Sequence, residues 1–266
     1  MRGAARGLVA GTLLLIATPA LAGPWTLPRG QGQVILKAES LSADDGFDEG
    51  GQRIALPGER RDNLVGVLAE YGLTDRLTLQ FKGDWQWGED AFFDYEGRGP
   101  AEIGVTWQAW RGDRAAVSIY GGYADAGEGR NAGYAAPGLG GRDWEARLSV
   151  GRSFDGAIGL PVGWGPERSF VDVQVARRLR DDLPDETRLD ATLGGHFGED
   201  WMILGQAFAG QAEDQPASSG ARWLSLESSL VRRHGAWSFQ AGWRQAVAGR
   251  STPRSSGPIL AVWRRF

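Results

Sequence analysis

The chain has 266 residues, a formal net charge of -4 and no cysteine, with 41 glycines and 12 tryptophans. That balance offers no basic surface for nucleic acid, and the lack of thiols excludes a disulfide framework, a thiolate metal site and a thiol nucleophile. Mean hydropathy is -0.32. No apolar run reaches the roughly 20 residues of a transmembrane helix, so membrane helices are excluded, whereas strands that show lipid only every second residue are permitted.

Residues 1–22 carry Arg2 and Arg6, an apolar run from Leu8 to Ile16, and then Ala20-Leu21-Ala22, a small-x-small site ahead of Gly23. This is the pattern of a secretory signal peptide, and its apolar run is too short to span as a helix. The expected division is therefore 1–22 signal peptide and 23–266 one all-β domain. A Pro- and Gly-rich lead, 23–32, is expected in the periplasm.

The segment 77–87 states the rule that the other segments repeat. Leu77, Leu79, Phe81, Trp85 and Trp87 alternate with Thr78, Gln80, Lys82, Asp84 and Gln86. A period of two with two chemically different faces is an extended strand, and eleven residues suffice for a tilted strand to cross a bilayer. In chain order, strands are expected at about 33–42, 63–71, 77–87, 101–110, 116–123, 143–154, 170–177, 188–197, 201–210, 223–232, 237–244 and 259–265. Val171, Val173 and Val175 share one face of the seventh, opposite Asp172 and Gln174. The facing of 201–210 is ambiguous.

The twelve strands are joined by long and short connections in alternation. The polar segments 43–61, 88–99, 124–142, 178–186, 211–221 and 246–256 are long, while 72–76, 111–114, 198–200 and 233–235 are short turns. Outer-membrane barrels show this asymmetry, with short periplasmic turns, long external loops and an even strand number. Connection 155–169 is long where a turn is due, and is expected to be a structured periplasmic loop or an extension of its flanking strands.

Twelve strands enclose more space than side chains of an eight-stranded barrel fill. With the aromatic faces outward, the interior receives Lys37, Glu39, Glu70, Lys82, Asp84, Glu102, Glu145, Arg147, Asp172, Arg188, Asp190, Glu227 and Arg244. Mixed charge suits a hydrated lumen and not a dry core. These residues, Glu70 apart, are the lumen-lining candidates.

The start Pro24-Trp25-Thr26-Leu27-Pro28-Arg29-Gly30-Gln31-Gly32-Gln33, the turn Tyr71-Gly72-Leu73-Thr74-Asp75 and the entry Pro100-Ala101-Glu102-Ile103-Gly104 resemble the XagA-like family of exported bacterial proteins. The Gly-Leu-Thr-Asp-x-Leu turn also recurs in other barrels, including a family tied to phenol-degradation operons. The XagA-like resemblance covers nearly all of the mature chain. It implies an envelope role linked to exopolysaccharide and biofilm gene clusters, and brings no catalytic residue.

A lipid-modifying barrel enzyme would need Ser and His on one exposed rim. The two histidines fit poorly: His196 lies in Gly-Gly-His-Phe-Gly and His234 in a turn. Asp172 with Glu145 could serve as paired carboxylates, but barrel lumens carry such charges routinely. Gly127-x-Gly129-x-x-x-Gly133 misses the dinucleotide spacing and reads as a mobile loop. Asp44, Asp45, Asp48 and Glu49 lack calcium-loop spacing and read as a solvated external loop.

The expectation is a monomeric, non-enzymatic transmembrane antiparallel up-and-down β-barrel of the bacterial outer membrane. It would form a narrow channel for small hydrophilic solutes or envelope polysaccharide, without metal or cofactor. The alternative is a closed barrel whose external loops bind an envelope partner or polysaccharide. Terminal Phe266, closing the last strand, resembles the assembly signal read by the barrel-assembly machinery.

Overall fold

The structure is a computed structural model that describes residues 23–158, 165–214 and 220–266. The expected signal peptide lies outside the described residues. The strands are β1 (Gly32–Phe47), β2 (Arg53–Thr74), β3 (Leu77–Glu89), β4 (Asp94–Arg98), β5 (Ala101–Arg111), β6 (Ala115–Asp125) and β7 (Arg142–Asp155). They continue with β8 (Arg168–Arg180), β9 (Glu186–Phe197), β10 (Trp201–Ala212), β11 (Arg222–His234), β12 (Trp237–Arg250), β13 (Thr252–Pro253) and β14 (Ser256–Arg265).

Every pairing is antiparallel, and each long strand pairs with its sequence neighbours. β1 closes the cylinder by pairing with β2 on one side and β14 on the other, from Gln33 opposite both Glu70 and Arg265 upward. The short β4 and β13 pair only with β3 and β1, so the closed wall has twelve staves. Closure leaves no free edge, as strands in hydrocarbon require.

The alternation of the sequence becomes the inside and outside of this wall. Phe81, Trp85, Ile103, Trp107, Val173, Val175, Leu193, Phe239, Trp243 and Leu260 point outward and are 39–57% exposed. A continuous apolar surface of this kind fits only a lipid environment. Thr78, Gln80, Thr106, Gln108, Ser118 and Ser149, one residue out of phase with that belt, are buried inside. This is a transmembrane barrel of the outer-membrane type.

Several boundaries differ from the expectation. The polar segment 43–61 is not a loop: β1 and β2 continue as a paired hairpin up to Phe47 opposite Arg53, with a bulge between Ala43 and Asp45. Beyond the membrane both strand faces meet water, so the apolar alternation that marks a strand disappears while the ladder continues. The same holds for 88–99, where β4 folds back on β3. Asp44 and Asp45 lie in this hairpin, where Asp45 pairs with Arg254 at 2.7 Å and with Arg53. Asp48 caps its own turn, accepting the Gly50 and Gln52 N–H groups at 2.8 Å.

In the long connection after β7, the flanking strands stay paired to Asp155 opposite Arg168, and the Gly156 N–H reaches the Glu167 carbonyl at 2.8 Å. Residues 159–164 of this connection lie outside the described residues. β10 presents Met202, Leu204, Gln206 and Phe208 inward. Its ambiguity in the sequence follows from this, because the inward face is apolar at Met202, Leu204 and Phe208.

The lead, expected in the periplasm, lies inside the barrel's short-turn end. Gly23 and Pro24 are buried, and Thr26 is 2% exposed. The Gln108 side-chain amide donates to the Pro24 carbonyl at 2.8 Å, the Leu27 N–H to Thr78 Oγ1 at 3.0 Å, and the Arg29 N–H to Asp75 Oδ1 at 3.0 Å. Space is made by glycine: a Cβ on Gly151 would lie 2.5 Å from the Trp25 ring and 2.7 Å from Pro24.

Candidate functional site: the lumen

Three layers fill the barrel along its axis. At the short-turn end, Trp25 of the lead meets Phe170 edge-on, with ring centroids 6.4 Å apart. Both belong to an inward apolar cluster with Ile35, Met202, Leu204, Val231 and Trp263. His196 joins this layer, buried with its ring 6.2 Å from that of Phe170.

The middle layer is polar. A cavity of about 460 Å³ is lined by Lys37, Glu39, Lys82, Asp84, Arg147, Asp190, Glu227 and Arg244, together with uncharged residues. On one wall, Arg244 of β12 reaches Glu39 of β1 at 3.0 Å and Glu227 of β11 at 2.7 Å, and Lys37 reaches Glu39 at 2.6 Å. The Arg244 guanidinium also lies 4.6 Å over the Phe208 ring, so the aromatic that obscured the facing of β10 serves as a platform for a lumen cation.

The other wall carries a larger network. Glu102 of β5 accepts Lys82 at 3.1 Å and the Tyr120 hydroxyl at 2.6 Å, and pairs with Arg178. Glu145 of β7 joins Arg178 at 2.9 Å, Arg188 at 3.6 Å, and Arg147. Asp143 and Glu186 extend the chain through Arg180 and Arg188. Tyr120 lies flat across this wall because Gly104 and Gly122 flank it, where a Cβ would come within 2.3 Å of its ring or hydroxyl. Each buried charge here has a partner, as burial demands.

The sequence-derived candidates thus divide. Lys37, Glu39, Lys82, Asp84, Arg147, Asp190, Glu227 and Arg244 border the cavity. Glu102, Glu145 and Arg188 face inward within the network behind it. Asp172 faces inward but is 3% exposed, beneath the lead at Gly23; it does not border the cavity. Asp172 and Glu145 do not form the carboxylate pair considered from the sequence: Glu145 is engaged by arginines while Asp172 accepts from the Gln174 amide at 2.7 Å.

The loop 126–141, whose Gly127-x-Gly129-x-x-x-Gly133 pattern reads as a mobile loop, folds over the outer mouth and is held there by Arg130, Asn131 and Tyr134, none of them a candidate from the sequence. Arg130 binds Asp62 at 3.1 Å, Asp90 at 2.7 Å and the Ala135 carbonyl at 2.6 Å. The Asn131 side-chain amide donates to the Gly127 and Leu139 carbonyls at 2.8 Å. Tyr134 donates to Glu186 at 2.7 Å and stacks at 6.0 Å on Trp223. Polar residues scattered among glycines and alanines give no periodic signal, so this anchoring was not legible. Among the described residues no cluster of His, Asp or Glu has metal-binding geometry.

No protein-family model matches this chain, and no curated protein matches it in sequence. Solved structures match its fold. The COG4313 outer membrane channel from Pseudomonas putida F1 aligns with a TM-score of 0.65 at 14% identity, over 92% of this chain and 99% of that one. The KdgM porin aligns at 0.50 and 8% identity, over 88% and 99%. The NanC porin aligns at 0.52 and 6% identity, over 86% and 98%. At these identities the likeness is one of fold: this chain has the twelve-stranded barrel architecture of bacterial outer-membrane proteins.

Proposed function

We propose that this barrel is a narrow channel for small hydrophilic solutes in the bacterial outer membrane. The observation that carries the reading is the charged cavity of about 460 Å³ at mid-lumen. A hydrated, charge-lined space inside an apolar-walled cylinder serves polar solutes, and its lining would set selectivity. The structural likeness to an outer membrane channel and to two porins supports the same reading. The test is planar-bilayer recording with the purified mature protein, where discrete conductance steps of small size are expected.

A second reading has its own observation. The lead and the apolar cluster occupy the short-turn end while the loop 126–141 covers the opposite mouth. On this reading the barrel is closed and its outer loops are the working surface, for which envelope polysaccharide, in keeping with the XagA-like resemblance, is the partner of choice. Absence of conductance together with polysaccharide binding in pull-down would select it.

Transport rather than catalysis is also favoured by the histidines: His196 is packed against Phe170 and His234 sits at the end of β11 near a turn. The barrel would act as a monomer delivered by the barrel-assembly machinery. Phe266, whose N–H and carbonyl bond to Gly32 at 3.0 and 2.8 Å, closes the last strand as an assembly signal would. Its deletion should lower the folded, heat-modifiable fraction without blocking export, and an unaltered folded yield would remove that role.

A further inference from the structure

Asp172 presents an unusual combination inside the barrel. Its carboxylate is buried, one oxygen accepts from the Gln174 amide, and the other, Oδ2, has no hydrogen-bond partner among the described residues. It has no ion pair among the described residues, unlike Glu102, Glu145 and Glu186. An uncompensated buried carboxylate is costly enough that proteins pair or neutralise it. The neighbour of the orphaned oxygen is Gly23: a methyl group built on its α-carbon would lie 3.3 Å from Asp172 Oδ2.

Gly23 is also the residue that follows the small-x-small site Ala20-Leu21-Ala22. Hydrolysis of the Ala22–Gly23 peptide bond during export consumes one water, leaving a carboxylate on Ala22 and an α-ammonium on Gly23. A free α-amine is mostly protonated at neutral pH. We propose that leader removal creates the partner that Asp172 lacks, the α-ammonium of Gly23, and that this internal ion pair locks the lead inside the lumen.

The rest of the lead is built to deliver its end to that point. From the β1 rim, where the Gly30 N–H reaches the Gly72 carbonyl at 2.9 Å, it crosses Asp75 and Thr78 and is held by Gln108 at Pro24. Trp25 then packs on Phe170, two residues before Asp172 in β8. These contacts hold the segment from Gly30 to Pro24, and the pair with Asp172 would fix the terminal amine itself. Two consequences follow: Asp172 belongs to the plug and not to the solute path, and any chain extended ahead of Gly23 places a bulky, differently positioned terminus in the lumen.

The test uses mature protein purified from outer membranes. Intact mass should place the first residue at Gly23; a mature chain beginning elsewhere overturns the proposal. Folded protein is then exposed to an amine-acylating reagent at neutral pH and its terminal peptide is quantified. The Gly23 amine should react at least about tenfold more slowly in wild type than in Asp172→Asn, since access then requires local opening. Equal rates overturn the pairing.

Should Asp172→Asn fold poorly, a second variant carries Gly-Ser inserted between Ala22 and Gly23 with Asp172 intact. It should show a lowered thermal midpoint and a freely reactive terminus, and an unchanged midpoint overturns the lock. Neither readout depends on whether the barrel conducts.

Discussion

Arg130 in the loop 126–141 donates its Nε hydrogen to Oδ1 of Asp62 on β2 at 3.1 Å, tying positions 68 residues apart in the chain across the outer mouth. Tyr95 of β4 donates to the same oxygen at 2.7 Å and lies under the Arg130 guanidinium at 5.1 Å. With the 2.7 Å pair to Asp90, one arginine joins the loop to β2, to β4 and to the β3–β4 turn. Charge-assisted bonds of this type are worth more than neutral ones, about 1.5–3 kcal/mol each when removed.

Arg130→Ala should therefore free the loop and leave the barrel wall intact. Limited proteolysis of folded protein in detergent is expected to cut within 126–141 many times faster in the variant. The thermal midpoint of the strands should move little, because the wall's ladder is untouched. A loop equally resistant in both proteins would refute the anchoring role.

The same anchor makes the outer mouth acid-sensitive. Burial alone would raise the Asp90 pKa, but the Phe92 and Phe93 N–H groups and the Arg130 guanidinium outweigh it and leave Asp90 below its ordinary value. A depressed carboxylate contributes stability above its unfolded pKa of about 3.9 and loses it as pH falls through the lower folded value. Loop protection should be constant from neutral pH down to about pH 4 and fall below that. Asp90→Asn should flatten this dependence, and a loop released already near pH 6 would contradict it.

The wall makes a separate prediction. Phe81 and Val173 face outward at the middle of β3 and β8. Phe81→Arg or Val173→Arg should cost about 2–4 kcal/mol, whereas a lumen change such as Gln80→Arg should cost much less. Gln80 faces inward beside Glu70, to which it donates at 2.6 Å, so an arginine there gains a carboxylate. Urea titration in lipid vesicles compares them, and equal damage by both classes would reverse the inside-out assignment.

What could be read from sequence followed from which solvent each segment meets. β3 and β8 were legible because lipid on one face and a polar lumen on the other write an alternation into Leu79, Phe81, Val173 and Gln174. The hairpin from Asp45 to Ala55 was not, because water lies on both of its faces and no pattern is imposed. β10 was ambiguous because Phe208 faces inward under Arg244, an apolar residue whose reason lies on another strand. The lead was misplaced for a similar reason: Pro24, Trp25 and Thr26 read as part of a Pro- and Gly-rich periplasmic lead, because the room and bonds for them come from Gly151 and Gln108, far away in the chain. Of the candidate lumen charges, signs and facing were visible, whereas pairing depended on neighbours such as Glu39 and Arg244, 205 residues apart.

Selectivity of the channel turns on those pairings. Each cation bordering the cavity is already held by a carboxylate: Lys37 by Glu39, Lys82 by Glu102, Arg147 by Glu145, and Arg244 by Glu39 and Glu227. Asp84 and Asp190 border the same cavity and make no ion pair among the described residues; the Asp84 carboxylate accepts from the Gln86 amide at 2.6 Å. Paired charges largely cancel at a distance, so the field felt by a permeating ion is set by these two carboxylates. An open pore should weakly prefer cations, and Asp84→Asn with Asp190→Asn should shift the reversal potential under a salt gradient towards anions. Asp172→Asn, covered by the lead, should not produce that shift by loss of a lumen charge. A reversal potential unmoved by the double change, with conductance still measurable, would show that Asp84 and Asp190 do not face the ion path.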